Sequence, residues 1–318
     1  MKRIRPPAAG WLFLVCVGYK ILMNMTSGGF WKVGVVFLVA GALGGLAGCG
    51  SFQKDIEVPL PSYENQLVLE CYLENGQVPR LTVTESVPYL DNGQAVAAGS
   101  QILTLPNGQT VQIPTDVTVN LTLPSGRVVN LPFRPGLDAT TTKYYSHTGT
   151  APIVARAGEQ LAIDVQDKRG RHLTGTAVVP TFIPIDSVKY KFNNATDRKA
   201  YFLTKWTDPA ATTDFYRIML HKGKPANNSE TDNDLRDRLF NGLPYAQVTR
   251  YRFNPNDTVT ATLYHIDSLY FAFRQSVRDA RNANGNPFAQ PSAIHSTVQG
   301  GVGAFTILVK DQKTLLLK

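Results

Sequence analysis

Three cysteines and five histidines are the residues of this 318-residue chain from which nucleophilic or metal chemistry could be assembled. The histidines, His147, His172, His221, His265 and His295, stand far apart, with no His-Glu-x-x-His pair to aim two imidazoles at one ion from one helix face. No Gly-x-Ser-x-Gly elbow presents a serine, and no Cys-x-x-Cys spacing offers zinc a thiolate set. Cys71 alternates with Leu67, Leu69 and Leu73; a thiol in that setting reads as a small apolar core group rather than a nucleophile. Asp232-Asn233-Asp234 with Asp237 clusters the oxygens a hard cation takes, but lacks the glycine and terminal glutamate of an EF-hand loop. It reads as a solvated loop leading into a helix start. Gly300-Gly301-Val302-Gly303 lacks the Lys and Ser/Thr of a phosphate loop and precedes a strand, so a tight turn with close backbone passage is expected. No catalytic residue, metal site or cofactor follows from these patterns. A hydrolase whose site assembles only in space is the least favoured alternative.

One thiol has a more specific setting. Val33 to Gly48 is a run of sixteen residues without a charge, preceded by Lys32. That is short for a bilayer span of ~20 residues and suits the apolar region of a signal peptide. It ends in Leu46-Ala47-Gly48-Cys49, which resembles the lipobox of lipoprotein signals. Small Ala47 and Gly48 let a peptidase approach the backbone, and the Cys49 thiol is the group that receives diacylglycerol. Residues 1–48 are thus expected to be a signal segment, with Met23 or Met25 as more ordinary starts than Met1. Residues 49–62, with Pro59 and Pro61, read as a lipidated tether. Its thirteen residues after the cysteine, at ~3.3 Å each, reach up to ~40 Å. Gln53, Lys54, Asp55 and Glu57 resemble an acidic surface-export signal, with Ile56 departing from its usual second acid. The expected location is the outer membrane, lipid-anchored and facing the exterior.

The formal charge of +8 misleads about partners. Lys2, Arg3, Arg5, Lys20 and Lys32 precede the expected cut; without them 27 basic residues face 24 acidic ones, a net of +3. So small and dispersed a surplus leaves no footprint for nucleic acid. Cys71 would be the one thiol left, so no internal disulfide is expected.

The remaining residues, about 270, are enough for two cores, and their periodicity is that of strands. Val117 to Leu123 alternates strictly, Pro124-Ser125-Gly126 turns, and Arg127 to Leu131 returns, a hairpin with one apolar face. Similar runs lie at Leu81–Thr84, Ile102–Leu105, Tyr144-Tyr145, Leu161–Val165 and Leu173–Val179. Residues 63–180 are therefore expected to form an immunoglobulin-like or transthyretin-like β-sandwich. Residues 181–318 are expected to form a second β-rich domain. Its strands fall at Val188–Phe192, Tyr201–Trp206, Phe215–Leu220, Ala246–Arg252, Thr258–Tyr264 and Phe305–Val309, with a polar loop over 223–234 and a short helix over Asp234–Phe240. A longer helix is expected near 268–283, burying Leu269, Tyr270, Phe273, Val277 and Ala280, capped by Asp267 and ended by Asn284-Gly285-Asn286-Pro287. Asp186-Ser187-Val188, Asp257-Thr258-Val259 and Asp267-Ser268-Leu269 are similar to a short O-glycosylation acceptor pattern, though three-residue matches arise readily by chance.

Ordered pieces along the mature chain carry a wider resemblance. They are Tyr63 to Glu70 with Glu74-Asn75-Gly76, Val179-Pro180 with Ile185-Asp186-Ser187, Trp206-Thr207-Asp208-Pro209 with Phe215-Tyr216-Arg217, Leu239 to Gly242, Asn286 to Pro291, and Gly300 to Phe305. Together they resemble the Bacteroidetes lipoprotein family catalogued as domain of unknown function 4249. The resemblance implies a two-part, β-rich surface lipoprotein, often encoded near TonB-dependent receptors, and implies no reaction. A non-enzymatic accessory to nutrient uptake is therefore expected, with the membrane, a TonB-dependent receptor and a glycan or peptide ligand as partners. A structural envelope or adhesion module is the alternative. Among the many aromatics, Trp206, Tyr216 and Tyr245 are the candidates for stacking on a ligand, against the plainer reading that they fill a core.

Overall fold

A computed structural model describes residues 64–86, 96, 99–105, 108, 110–138, 143–194, 196–223, 228–283 and 293–318. The signal segment, the lipobox Leu46 to Cys49, the tether, the export signal at Gln53, Lys54, Asp55 and Glu57, and the stop at Asn284 to Pro287 lie outside the described residues. No described helix is long and apolar enough to cross a membrane.

The first part of the chain forms β1 (Leu67–Glu74), β2 (Arg80–Glu85), β3 (Ser100–Thr104), β4 (Thr110–Pro114), β5 (Val117–Thr122), β6 (Val128–Asn130), β7 (Phe133–Leu137), β8 (Tyr144–Thr148), β9 (Gln160–Asp167) and β10 (His172–Val178). The second forms β11 (Ile185–Phe192), β12 (Ala200–Thr207), β13 (Phe215–Lys222), β14 (Thr231–Arg236), a 3-10 turn (Asp237–Leu239), β15 (Pro244–Val248), β16 (Thr258–Ile266), α1 (Ser268–Ala283), β17 (Val298–Gln299) and β18 (Val302–Leu316). The protein is mainly β, in a sandwich arrangement.

A central sheet runs in the order β14-β13-β16-β18-β1-β2-β4-β3, with β8 joining at β2 and β7 at β8. Alternation in β18 explains how the two cores share it. Phe305, Ile307, Leu315 and Leu317 point to one face; Ala304, Thr306 and Leu308 point to the other. Over the near part of the first face lies a five-stranded sheet, β17-β10-β9-β5-β6, enclosing a core rich in Leu and Val that includes Leu69, Cys71, Leu121, Ile163 and Leu173. Over the far part lies the three-stranded sheet β11-β12-β15, enclosing Phe202, Trp206, Tyr216, Ile218 and Leu263. The opposite face takes α1, through Tyr270 against Tyr72, Ala304 and Leu308.

The cores change over between Val179 and Ile183. The sheet does not divide there: β1 pairs in parallel with β18, from Val68 opposite Val302 to Glu74 opposite Leu308, and β17 joins β10. Residues 63–318 are accordingly one compact unit. That pairing needs its glycines. A Cβ on Gly303, whose φ is +134°, would sit 1.9 Å from the Leu69 carbonyl oxygen, and one on Gly300 would sit 2.0 Å from that of His172. The expected close backbone passage is realised at Gly303 inside the parallel ladder and at Gly300 against β10.

Three expectations change. Residues 231–236 are strand β14, not loop and helix, because they pair with β13 from Phe215 opposite Arg236 to Leu220 opposite Thr231. Only a 3-10 turn follows, and Leu239, expected on an apolar side, is 91% exposed. Helix α1 has its expected span and its cap, Asp267 Oδ1 accepting the Tyr270 N–H at 2.7 Å. Its stripe is uneven, however: Leu269 is exposed, while Ser276, two turns on along the same face, is buried where its hydroxyl accepts the His295 N–H at 2.9 Å.

Candidate functional site

Four acidic and basic side chains converge inside the second sandwich. Asp208 follows β12, Asp214 precedes β13, Asp237 opens the 3-10 turn after β14, and His265 lies on β16 opposite Tyr216. All are buried, and carboxylate oxygens of the three aspartates lie within 4.8 Å of one another. Each acid has donors. Asp208 accepts the Tyr216 hydroxyl at 2.5 Å and the Gly242 N–H at 2.9 Å. Asp214 accepts the Thr212 hydroxyl at 2.7 Å, and His265 Nε2 lies 2.9 Å from its other oxygen. Asp237 accepts the Asp214 N–H at 2.6 Å. His265 Nδ1 donates to the Thr181 carbonyl at 2.7 Å, the chain crossing between the cores. Burial, then the bond to Asp208, pushes the Tyr216 hydroxyl up, so it stays a donor.

Oxygens and an imidazole at this spacing are of the type hard cations take. The donors already present make a different use of them: they tie the loop after β12 and the turn after β14 to β16 and the crossing segment. Buried polar groups that are all hydrogen-bonded specify one arrangement of the segments they join. Of the acids considered in sequence, Asp237 belongs here, but Asp232 and Asp234 do not. Those two face the other side of the sheet, where β14 turns them toward Arg217 and toward Arg274 and Arg278 on α1. Asp232 meets Arg217 at 2.7 Å and Arg274 at 2.9 Å. Asp234 meets Arg274 at 2.7 Å and also pairs with Arg278. This is an ion-pair ladder fastening α1, not a calcium loop. Burial works against the charge on Asp232, yet the arginines hold its carboxyl below the usual range.

The remaining sequence candidates do not come together. Trp206 and Tyr216 are fully buried, and Tyr245 packs between Trp206, at 5.1 Å, and Phe240, at 4.2 Å between centroids. Trp206 and Tyr216 fill the second core and are not available for surface stacking on a ligand, while half-buried Tyr245 packs its ring against that core. Cys71 is buried and free, and burial pushes its thiol up, away from nucleophilic character. Ser146 Oγ lies 2.9 Å from His147 Nδ1, but both are buried and Ser146 accepts the Val83 N–H. His172 pairs with Asp164 at an exposed site. Asp214, which precedes the Phe215-Tyr216-Arg217 run, escaped the sequence reading; acids beside fully apolar strand residues are the signal that could have found it.

Two openings among the described residues lie away from these groups. The cavity lined by Leu73, Pro79, Ile153, Ala155, Leu161 and Ile307 has about 10 Å³, room for a water at most. A shallow polar depression of about 490 Å³ lies at the β13–β16 end, lined by Lys222, Asn228, Glu230 and Asp257.

The family model described as Domain of unknown function (DUF4249) matches residues 53–314. The chain belongs to this family. No curated protein matches it. Among solved structures, the native conformation of E. coli alpha-2-macroglobulin is 9% identical, with a TM-score of 0.22, over 82% of this chain and 14% of that one. Dimeric latent PorU from Porphyromonas gingivalis is 13% identical, with a TM-score of 0.20, over 64% of this chain and 19% of that one. The DUF4249 chain thus spans a small part of either, and neither superposition is close enough to inform its fold or its activity.

Proposed function

We propose that this DUF4249 chain is a non-enzymatic lipoprotein, anchored in the outer membrane by lipid on Cys49 and facing the exterior, that assists TonB-dependent nutrient uptake by binding ligand or receptor. The observation that carries the reading is Leu46-Ala47-Gly48-Cys49 placed directly after the uncharged run from Val33. Several acyl chains make such an anchor stable where one would be marginal. Support for a binding rather than a catalytic role comes from the carboxylate–histidine group: its donors and acceptors are spent on one another, inside a core, which leaves them no substrate to reach. Mass spectrometry of the purified protein should find an acylated Cys49 as the first residue, and Cys49→Ala should release the chain from membranes. Purification in mild detergent should then bring down a receptor β-barrel. An unmodified soluble chain would overturn the anchor; an acylated chain that never retains a receptor would overturn the uptake role alone.

The burial of Trp206 and Tyr216 favours a second reading, a structural envelope or adhesion module whose sandwiches act as spacers. It predicts normal nutrient uptake, with altered surface architecture, in cells lacking the protein.

A further inference from the structure

The outward face of the β11-β12-β15 sheet carries a pattern that the core beneath it does not require. Val188, Tyr190 and Phe192 turn inward, as do Phe202 and Trp206, so alternation turns Lys189, Lys191 and Lys205 outward. Register sets them in rows. Lys191 lies opposite Tyr201; Lys189 lies opposite Leu203, which faces Val248; Ser187 lies opposite Lys205, which faces Ala246. The three lysines are exposed and make no ion pair among the described residues. Between them sit half-buried Leu203, Val248 at 47% exposure, and Tyr201 stacked edge-on at 5.4 Å with Tyr251, itself 48% exposed. Asp186 is the one acid in these three strands, and its carboxylate accepts the Thr207 hydroxyl at 2.8 Å.

We infer that this face docks on the phosphate-bearing surface of an anionic lipid bilayer. Lysine suits that target: its long stem lies along apolar surface while a compact, hydrated charge reaches diffuse headgroups, without the fork geometry that directional carboxylate pairing uses. Tyrosines with an apolar body and a polar tip belong at the same interfacial depth, and Leu203 and Val248 supply the apolar centre. Each lysine near such a surface strengthens binding about fivefold, so the three together give about 100-fold. The inference rests on the lipid anchor for its proximity to the bilayer; lipid and basic face would act as two signals for one membrane.

The test uses the acylated full chain in phosphatidylcholine vesicles, with or without about one-third phosphatidylglycerol, and reads amine labelling of each lysine by mass spectrometry. Labelling of Lys189, Lys191 and Lys205 should fall several-fold on anionic vesicles alone and recover at ~1 M salt, where screening acts within ~3 Å. Exposed Lys168, on the other sandwich, is the internal reference. The single variant K189E should weaken the protection of Lys191 and Lys205 while keeping its circular dichroism. Equal labelling in both compositions overturns the inference, as does protection by polyglutamate with none by vesicles, which would mark an acidic protein partner. Flotation of the same samples in high salt reads the anchor separately. Vesicles that float the chain without protecting its lysines sink the docking face and spare the anchor; protection without flotation does the reverse.

Discussion

The two sandwiches solve the burial of acidic groups in opposite ways. In the first, Glu85 on β2 and Asp167 on β9 are held by Arg169 and Arg171, with Asp167 taking Arg171 Nε at 2.7 Å and Glu85 paired to both guanidinium groups. Burial opposes the charge on each acid, but the arginine bonds outweigh it and keep both carboxyls below their ordinary range. Inside the core of the second, Asp208, Asp214 and Asp237 meet no arginine among the described residues; a phenol, a threonine hydroxyl, backbone N–H groups and His265 serve them instead. Guanidinium forks clamp a sheet edge from outside, whereas short local donors can follow carboxylates into a core of rings. The first arrangement fastens two sheets; the second fastens loops.

The sharpest way to break this contrast is to cut the strand both sandwiches share. Gly303→Ala should abolish folding or cost at least ~4 kcal/mol, since the new Cβ meets the Leu69 backbone and no side chain can yield. Denaturant melts of the variant should lose both cores in one transition; survival of either alone would mean β18 does not couple them. Trp206→Ala, confined to the second core, should cost ~3–5 kcal/mol. Hydrogen exchange should then quicken in β11, β12 and β15 before β5 and β9.

Acid should act on the first sandwich in two stages. Burial pushes His147 down to about 4, below its ordinary value near 6.5, so the unfolded chain takes up that proton first. Stability is therefore complete above pH ~6.5 and falls as pH drops toward ~4, by up to ~3 kcal/mol. Glu85 and Asp167, with lowered folded values, add a further loss below pH ~4 as they protonate. Urea midpoints across this range should decline less steeply in His147→Gln; His221, also pushed down by burial, keeps part of the slope.

Asp237→Ala strands the Asp214 N–H inside the junction and should cost ~1–3 kcal/mol in thermal melts. Added calcium or a chelator should leave the melting temperature of the unaltered protein where it is; a calcium-dependent rise would turn the junction into a cation site. The smallest effect belongs to Leu239→Ala, expected within ~0.5 kcal/mol because the side chain is 91% exposed.

Much of this body was legible as sequence. The hairpin at Pro124-Ser125-Gly126, the strands at Leu81, Leu161 and Phe215 and the Asp267 cap all depend on neighbours within a few residues, which periodicity and turn chemistry report. The assembly of Asp208, Asp214, Asp237 and His265 was not, since strands far apart in the chain bring them together and no local spacing encodes a cross-sheet meeting. For the same reason β14 read as loop: its run is mostly polar, and the backbone pairing with β13, with arginines of β13 and α1 meeting Asp232 and Asp234, makes it a strand. Local alternation determined that the chain would form strands and which side of each would be wet. Which strands met, that β1 and β18 would knit the two sandwiches into one sheet, and which acids would be paired were decided only by tertiary contact, because a parallel pairing between strands so far apart in sequence leaves no signature in either alone.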